Sequence, residues 1–293
     1  MMDWLSSKRV APYIFMAPVL LLGLLFFAVP LGFSAYMSLT DWDSISPPRW
    51  VGLDNYVFLI TKDSFFFSSL VNTFVFAFGM MFLSIPIALS IAFAISRSRL
   101  QGFWRTIYWL PMITNTVAVA YIWKFILADS SGLLNRALDL FGLPGPNWLT
   151  DPSLSMVSVI MVAVWVSLGH NVLLFAAGLN DIDESYYEAG KIDGAHQLQM
   201  FWHVTIPLLR PTILFVMVTN FITALSSFAL MLVLTEGGPV RSTTVTGLYL
   251  YEMAFADLRL GRASAAAFIL FLLILIISLA QLRLLRRGGI AAH

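Results

Sequence analysis

The chain has 293 residues, of which 59% are hydrophobic and only 11% charged, with a net charge of +1. A soluble domain carries about 25% charged residues, so the excess apolar surface calls for lipid. The near-neutral charge offers no basic face for nucleic acid, and the absence of cysteine excludes disulfides, thiolate chemistry and Cys-type zinc sites.

Six stretches reach the roughly 20 apolar residues needed to cross a bilayer. In chain order they are residues 13–36, 70–95, 107–127, 154–179, 208–234 and 265–285. The first follows Lys8 and Arg9 and superficially resembles a signal peptide. Its apolar run exceeds the roughly 7–15 residues of a cleaved signal, so it is expected to be a retained span. The third contains Pro111, Asn115 and Lys124, and the fifth is entered through Pro207 and Pro211. Proline is tolerated in a span when neighbours satisfy the freed carbonyls. Lys124 is expected to snorkel toward an outer span end. Asn72 and Asn115 suit either interhelical hydrogen bonds or ligand contacts.

Positive charge clusters at Lys8 and Arg9, at Arg97, Arg99 and Arg105, and at Arg283, Arg286 and Arg287. With six spans these clusters share one side, which predicts cytoplasmic N- and C-termini. The loops 41–69 and 128–153 then face outward. Loop 235–264 also faces outward, against the trend, because it holds Arg241, Arg259 and Arg262. The whole of 1–293 reads as one transmembrane domain: residues 1–64 form the first helix and outer loop, and 65–285 a five-helix core. The fold class is therefore all-α and multi-pass.

The polar segment 180–207 interrupts that core. Asp181, Asp183 and Glu184 suit a helix start, where free N–H groups favour negative charge. Gly194 sits where a left-handed residue would end this helix. A second short helix is expected over 196–204, stopped by Pro207. On periodicity alone the segment is either an interfacial helix at the headgroups or a docking helix.

Glu188-Ala189-Gly190, Asp193-Gly194-Ala195, Phe201, Ile206-Pro207 and Pro211 resemble the EAA motif of ABC importer permeases. Gly190 and Ile206 depart from the usual residues. Leu39-Thr40-Asp41-Trp42, residues 51–56, Gly132-Leu133-Leu134-Asn135, Gly237-Gly238-Pro239 and residues 260–265 extend the similarity to sugar-importer permeases of the MalF/UgpA/LacF type. The resemblance implies a type I ABC importer permease fold in the bacterial cytoplasmic (inner) membrane. It also implies a second homologous permease, two ATP-binding subunits and an extracytoplasmic solute-binding protein as partners, besides membrane lipid. Glu188, Ala189, Gly190, Asp193, Gly194 and Ala195 would then couple to the ATPase. Glu188 would make a charged or capping contact, the small residues would permit close approach, and Gly194 would set the angle between the helices.

No G-x-x-x-x-G-K-[ST] loop or H-E-x-x-H helix occurs in the chain. The chain is therefore expected to be non-catalytic and to bind no cofactor, ATP and Mg being held by the partner ATPase. Polar residues at membrane depth are functional candidates because their burial is costly. His170 and Asn171 lie in the fourth span; Asn220, Thr223, Ser226 and Ser227 recur at helical spacing in the fifth. Small hydroxyls and amides suit a neutral polyhydroxylated solute. Related permeases carry stronger polar residues near Ala229 and Leu230, which weakens any transfer of sugar-binding positions. A secondary transporter would show intramembrane carboxylates for ion coupling, and these spans hold almost none. An intramembrane enzyme would need a nucleophile, a base or metal ligands, which His170 alone does not supply.

Overall fold

A computed structural model describes residues 11–96, 98–129 and 131–287. Lys8, Arg9 and Arg97, three of the expected topology markers, lie outside the described residues. The chain divides into two compact units: residues up to Phe66 with Leu250–Phe271, and Phe67–Tyr249 with the residues from Leu272 onward.

In the first unit, helix α1 (Pro12–Ser38) buries none of its most apolar window. Phe15, Phe26 and Phe27 are all exposed along it, so the helix requires lipid or another subunit as solvent. Its turn at Leu24–Ala28 widens to π geometry, with Val29 N–H donating to the Leu24 carbonyl. Pro30 follows at once, and a widened turn is one way to accommodate a residue without an N–H donor.

Strands β1 (Thr40–Asp41) and β2 (Arg49–Trp50) pair antiparallel in the register Thr40 to Trp50 and Asp41 to Arg49. Helix α2 (Asp54–Thr61) follows. Its buried Asn55 donates its amide to the carbonyls of Ser38 and Thr40, at 3.0 and 2.8 Å. Gly261 meets the same strand: a Cβ there would fall 1.9 Å from the Thr40 carbonyl oxygen. Three motifs far apart in sequence thus meet at one place. Arg262, which runs against the charge rule, lies 4.0 Å above the Phe58 ring; a cation over an aromatic face is a stable arrangement for an arginine.

The second unit is built on α3 (Ser64–Ser96), α4 (Gln101–Ile113), α5 (Thr116–Ile126), α6 (Leu133–Leu140) and α7 (Ser155–Asn180). It continues with α8 (Glu184–Ile192), α9 (Gln197–Leu208), α10 (Arg210–Ser226), α11 (Ala229–Leu234) and α12 (Thr246–Tyr251), and α13 (Leu260–Arg287) returns to it. One core gathers Phe76, Val159, Val162, Phe221, Met231 and Leu248. A second gathers Ala88, Ala92, Val172, Phe175, Leu209 and Val216. α7 is central to both, and its glycines explain the close packing. A Cβ at Gly169 would fall 2.2 Å from the Tyr108 carbonyl oxygen, and one at Gly178 2.5 Å from the Thr212 hydroxyl. Small residues at helix crossings are how membrane helices approach closely.

Among the described residues, α1, α3, α7 and α13 are each long and apolar enough to span a membrane, and α9 with α10 forms a bent candidate. The expected third span is two helices, α4 and α5, broken at Thr114-Asn115. Asn115 is not an interhelical partner here. Its side chain caps α5, accepting from the N–H groups of Val117 and Ala118 at 2.9 and 3.4 Å. The expected fifth span also divides. Ser227 is extended, at φ −83 and ψ 136, and separates α10 from α11.

Loop 235–246 is tied down by hydroxyls and one amide. Asn72 donates to the carbonyls of Arg241 and Thr244 at 3.0 and 3.1 Å. Thr246 N–H donates to the Thr73 hydroxyl at 2.8 Å. The hydroxyls of Ser155 and Ser242 lie 2.8 Å apart, and those of Thr235 and Thr243 2.6 Å. Lys124 does not hang free: its ammonium lies 3.1 Å from a Glu236 carboxylate oxygen.

Candidate functional site: the loop between two packed helices

α7 and α10 pack against each other, and residues 181–209 join them as a paired-helix excursion. The excursion organises itself locally. Asp183 caps α8 by accepting from Ser185 N–H at 2.8 Å. The Ser185 side chain and N–H hold the Asp183 carboxyl below the ordinary carboxylate range. At the other end of α8, Gly194 takes φ +74. Gly194 N–H donates to the Lys191 carbonyl at 3.1 Å and Ala195 N–H to the Gly190 carbonyl at 2.9 Å. This double return is the Schellman stop, and its left-handed residue favours glycine. No neighbour lies within 4 Å of where a Gly194 Cβ would be, so backbone conformation rather than space selects the residue.

His196 then starts α9 through a reciprocal capping box with Gln199. The turn Phe201–Thr205 is a π segment, and the helix ends one residue past Pro207, as expected for a stop at that proline. α9 runs on to Leu208, and the chain then bends by 64° into α10. Pro207 and Pro211 bracket that bend. Neither supplies an N–H, so the ladder loses donors on both sides of Leu209.

Only a few contacts tie the excursion down. Met200 is buried, with Cγ and Sδ 3.4 Å from where a Gly190 Cβ would sit. The Tyr187 and Thr205 hydroxyls lie 3.1 Å apart, and Phe201 meets Phe93 of α3 edge-on at 5.0 Å. A cleft of about 560 Å³ opens beneath α8, lined among others by Phe93, Asn180, Glu184, Tyr187, Lys191 and Gln197. No residue of α8 is buried. Glu188, Ala189, Asp193 and Gly194 are exposed, and Gly190 and Ala195 half-exposed. Ile192 is 86% exposed and Leu198 62%, an apolar pair that water alone does not favour. Neither Leu198 nor the Tyr187–Thr205 tie is legible in the sequence, because nothing in their spacing marks them.

The intramembrane candidates do not form one group. His170 faces outward from α7, whereas its neighbour Asn171 is fully buried. Asn171 donates toward the amide oxygen of buried Asn220 on α10, at 3.4 Å. Thr223 and Ser226 lie on an exposed face of α10. Ser227 lies beyond its last turn and is half-exposed. The stripe expected on one continuous helix is therefore split in two, because Asn220 turns inward and Ser227 leaves the helix. Asn72 makes its contacts to loop carbonyls, as above. Among the described residues no group of three or more His, Asp or Glu side chains is placed to hold a metal.

The chain therefore consists of several apolar helices interrupted by a capped helix pair. Residues 84–288 match the family described as binding-protein-dependent transport system inner membrane component, and the chain belongs to that family. It is 34% identical to the probable ABC transporter permease protein YesP of Bacillus subtilis, over 94% of this chain and 90% of that one. It is 30% identical to the arabinooligosaccharides transport system permease protein AraP of the same organism, over 96% of this chain and 90% of AraP. Its fold matches a chain of a bacterial alginate ABC transporter solved in complex with an alginate pentasaccharide-bound periplasmic protein. That match has a TM-score of 0.86 and 23% identity, covering 100% of this chain and 99% of that one. The chain is thus an inner-membrane component of a binding-protein-dependent transport system.

Proposed function

We propose that this chain is one of two permease subunits of an ATP-driven importer for a sugar or a related polyol or glycerol-phosphate-type solute. It works with a second, homologous permease, two cytoplasmic ATP-binding subunits and an extracytoplasmic solute-binding protein. ATP and Mg are bound by the ATPase, and this chain does no bond-breaking chemistry. It crosses the membrane six times, with the third and fifth crossings assembled from broken helices and both termini in the cytoplasm.

The observation that carries this reading is α8. It is stabilised by its own caps, buries none of its side chains, and presents Glu188, Ala189 and Gly194 outward. An element that makes its hydrogen bonds within itself keeps its outer face free for a partner. Glu188, Ala189, Gly190, Asp193, Gly194 and Ala195 form the coupling surface, with Ile192 and Leu198 as apolar anchors beside it. The solute path is lined by the exposed polar groups His170, Thr223, Ser226 and Ser227, facing the partner permease. The likeness to AraP, a permease for arabinooligosaccharides, supports a carbohydrate as cargo.

The test uses the natural absence of cysteine. Single cysteines at Ser44, Asn147 and Gln197 are exposed to an impermeant thiol reagent in intact cells, and the complex is then purified through this chain. Labelling at Ser44 and Asn147 but not at Gln197, with an ATPase subunit co-purifying, is the expected result. Strong outside labelling at Gln197, or a purified chain without any ATPase, overturns the reading.

A further inference from the structure

The loop 181–209 links α7 to α10 covalently, and the two helices share an apolar core flanked by two distinctive contacts. Next to the loop, Gly178 lets Thr212 and Leu209 approach so closely that a Cβ would fall 2.5 and 3.0 Å from them. Further along, Asn171 and Asn220 face each other. Asn171 lies nine residues before the end of α7 at Asn180, and Asn220 lies ten residues after the start of α10 at Arg210. At 1.5 Å per residue both sit roughly 14 Å from the loop. The geometry is a tight fulcrum beside the loop and a polar contact at matched depth beyond it.

That contact is incomplete. Two primary amides can pair reciprocally, each donating to the other's oxygen. Here one bond is made, at 3.4 Å, beyond the usual N–H···O range. Among the described residues, Asn171 Oδ1 and Asn220 Nδ2 have no hydrogen-bond partner. The two residues are 0% and 5% exposed, with Val172 and Val216 fully buried nearby on the same helices. A buried donor and acceptor left open beside each other favour any displacement that brings them together.

We propose that Asn171 and Asn220 are positioning residues of the transport cycle, singly bonded in the arrangement seen here and reciprocally paired in the alternate state. A push on α8 and α9 tilts α7 against α10 about the Gly178–Thr212 contact. The amide pair at the end of the lever closes or opens by a few tenths of an ångström. The pair biases two discrete states, which is what a coupling element needs. This inference rests on the coupling role proposed above for α8.

The experiment uses the assembled transporter in membranes, with its partner permease, ATPase and binding protein. The pair Asn171→Cys and Asn220→Cys is oxidised without nucleotide and after trapping with ATP and vanadate. The expected result is a cross-linking rate that differs about tenfold between the two conditions, because disulfide closure responds steeply to the separation and angle of the two backbones at this depth. In parallel, Asn171→Leu and Asn220→Leu singly leave one amide stranded and should lower both ATP hydrolysis and coupled uptake about tenfold. The double Leu variant should regain ATP hydrolysis, yet consume more ATP per solute than the unmodified complex. Equal cross-linking in both conditions, or normal ATP-to-solute stoichiometry in the double variant, overturns the proposal. If the unmodified complex itself shows no binding-protein-stimulated hydrolysis, the coupling reading of α8 fails and this inference falls with it. If stimulation is intact but the cross-link ignores nucleotide, only the amide switch is lost.

Discussion

Two loops of the second unit solve the same problem in different ways. Both must satisfy backbone groups where the chain leaves a helix. Loop 181–209 does so with neighbours: an aspartate cap, a glycine stop and a capping box, all within a few residues. Loop 235–246 also has local turns, but adds long-range bonds from Asn72 and Thr73, whose partners lie 169 and 173 residues away. In it Thr243 and Thr246 are fully buried, whereas α8 buries nothing. Local closure leaves a surface free to bind and a body free to move. Long-range closure makes a fixed part of the scaffold. The coupling role proposed above needs both, since a partner that pushes on one loop does work only against a frame that holds.

The sharpest way to break the contrast is at Gly194. Gly194→Trp forces a side chain onto φ +74 and redirects α9. Uptake should be abolished while the thermal midpoint of the purified complex stays put; Gly194→Asn, which tolerates the left-handed region, should retain transport. Glu188→Lys should likewise abolish uptake without loss of insertion. Normal transport by Gly194→Trp and Glu188→Lys would show that α8 is not a coupling surface.

The opposite signature is expected in the anchored loop. Asn72→Leu strands the Arg241 and Thr244 carbonyls. With the Arg241 side exposed and only Thr244 buried, it should cost about 1–2 kcal/mol of stability, read as a lower unfolding midpoint in detergent. The protein that remains folded should transport at its normal rate per molecule. A large transport defect with an unchanged midpoint would erase the distinction between the two loops.

A smaller effect, in the favourable direction, is expected at Gly190. An added methyl would meet Met200 at 3.4 Å, an ordinary contact. Gly190→Ala should therefore stabilise α8 by about 0.5–1 kcal/mol, visible as slower amide exchange in that helix. Faster exchange would mean the helix needs closer approach here than the structure shows.

The least effect is expected from pH. The Asp183 carboxyl sits below its ordinary value because Ser185 donates to the charged form. A depressed folded value contributes stability that is present above the unfolded pKa of about 4 and is lost as pH falls through the lower folded value. Protection of the Ser185 amide should hold from about pH 7 to about pH 5 and fade only in stronger acid. Loss within that window would show that the carboxylate is not the cap.

What could be read from the chain alone follows this division. The apolar runs, the helix start at Asp183 and the left-handed stop at Gly194 were legible, because each depends on residues within one or two turns. The breaks at Asn115 and Ser227 were not, since hydrophobicity is continuous across them while the backbone turns on a cap and a single extended residue. The stop at Pro207 was legible to within a residue, because a proline removes a donor locally; the π turn before it and the 64° bend at Leu209 were not, since they depend on how α9 and α10 pack. Asn220, Thr223, Ser226 and Ser227 looked equivalent by spacing. Only packing turned Asn220 toward Asn171 and left Thr223 and Ser226 outside. The sequence by itself determined a multi-span membrane chain with a locally capped polar loop, because apolar length and capping chemistry are local properties. Tertiary structure alone decided which polar groups meet, because that choice depends on glycines that let α7 approach its neighbours, and their partners lie tens of residues away.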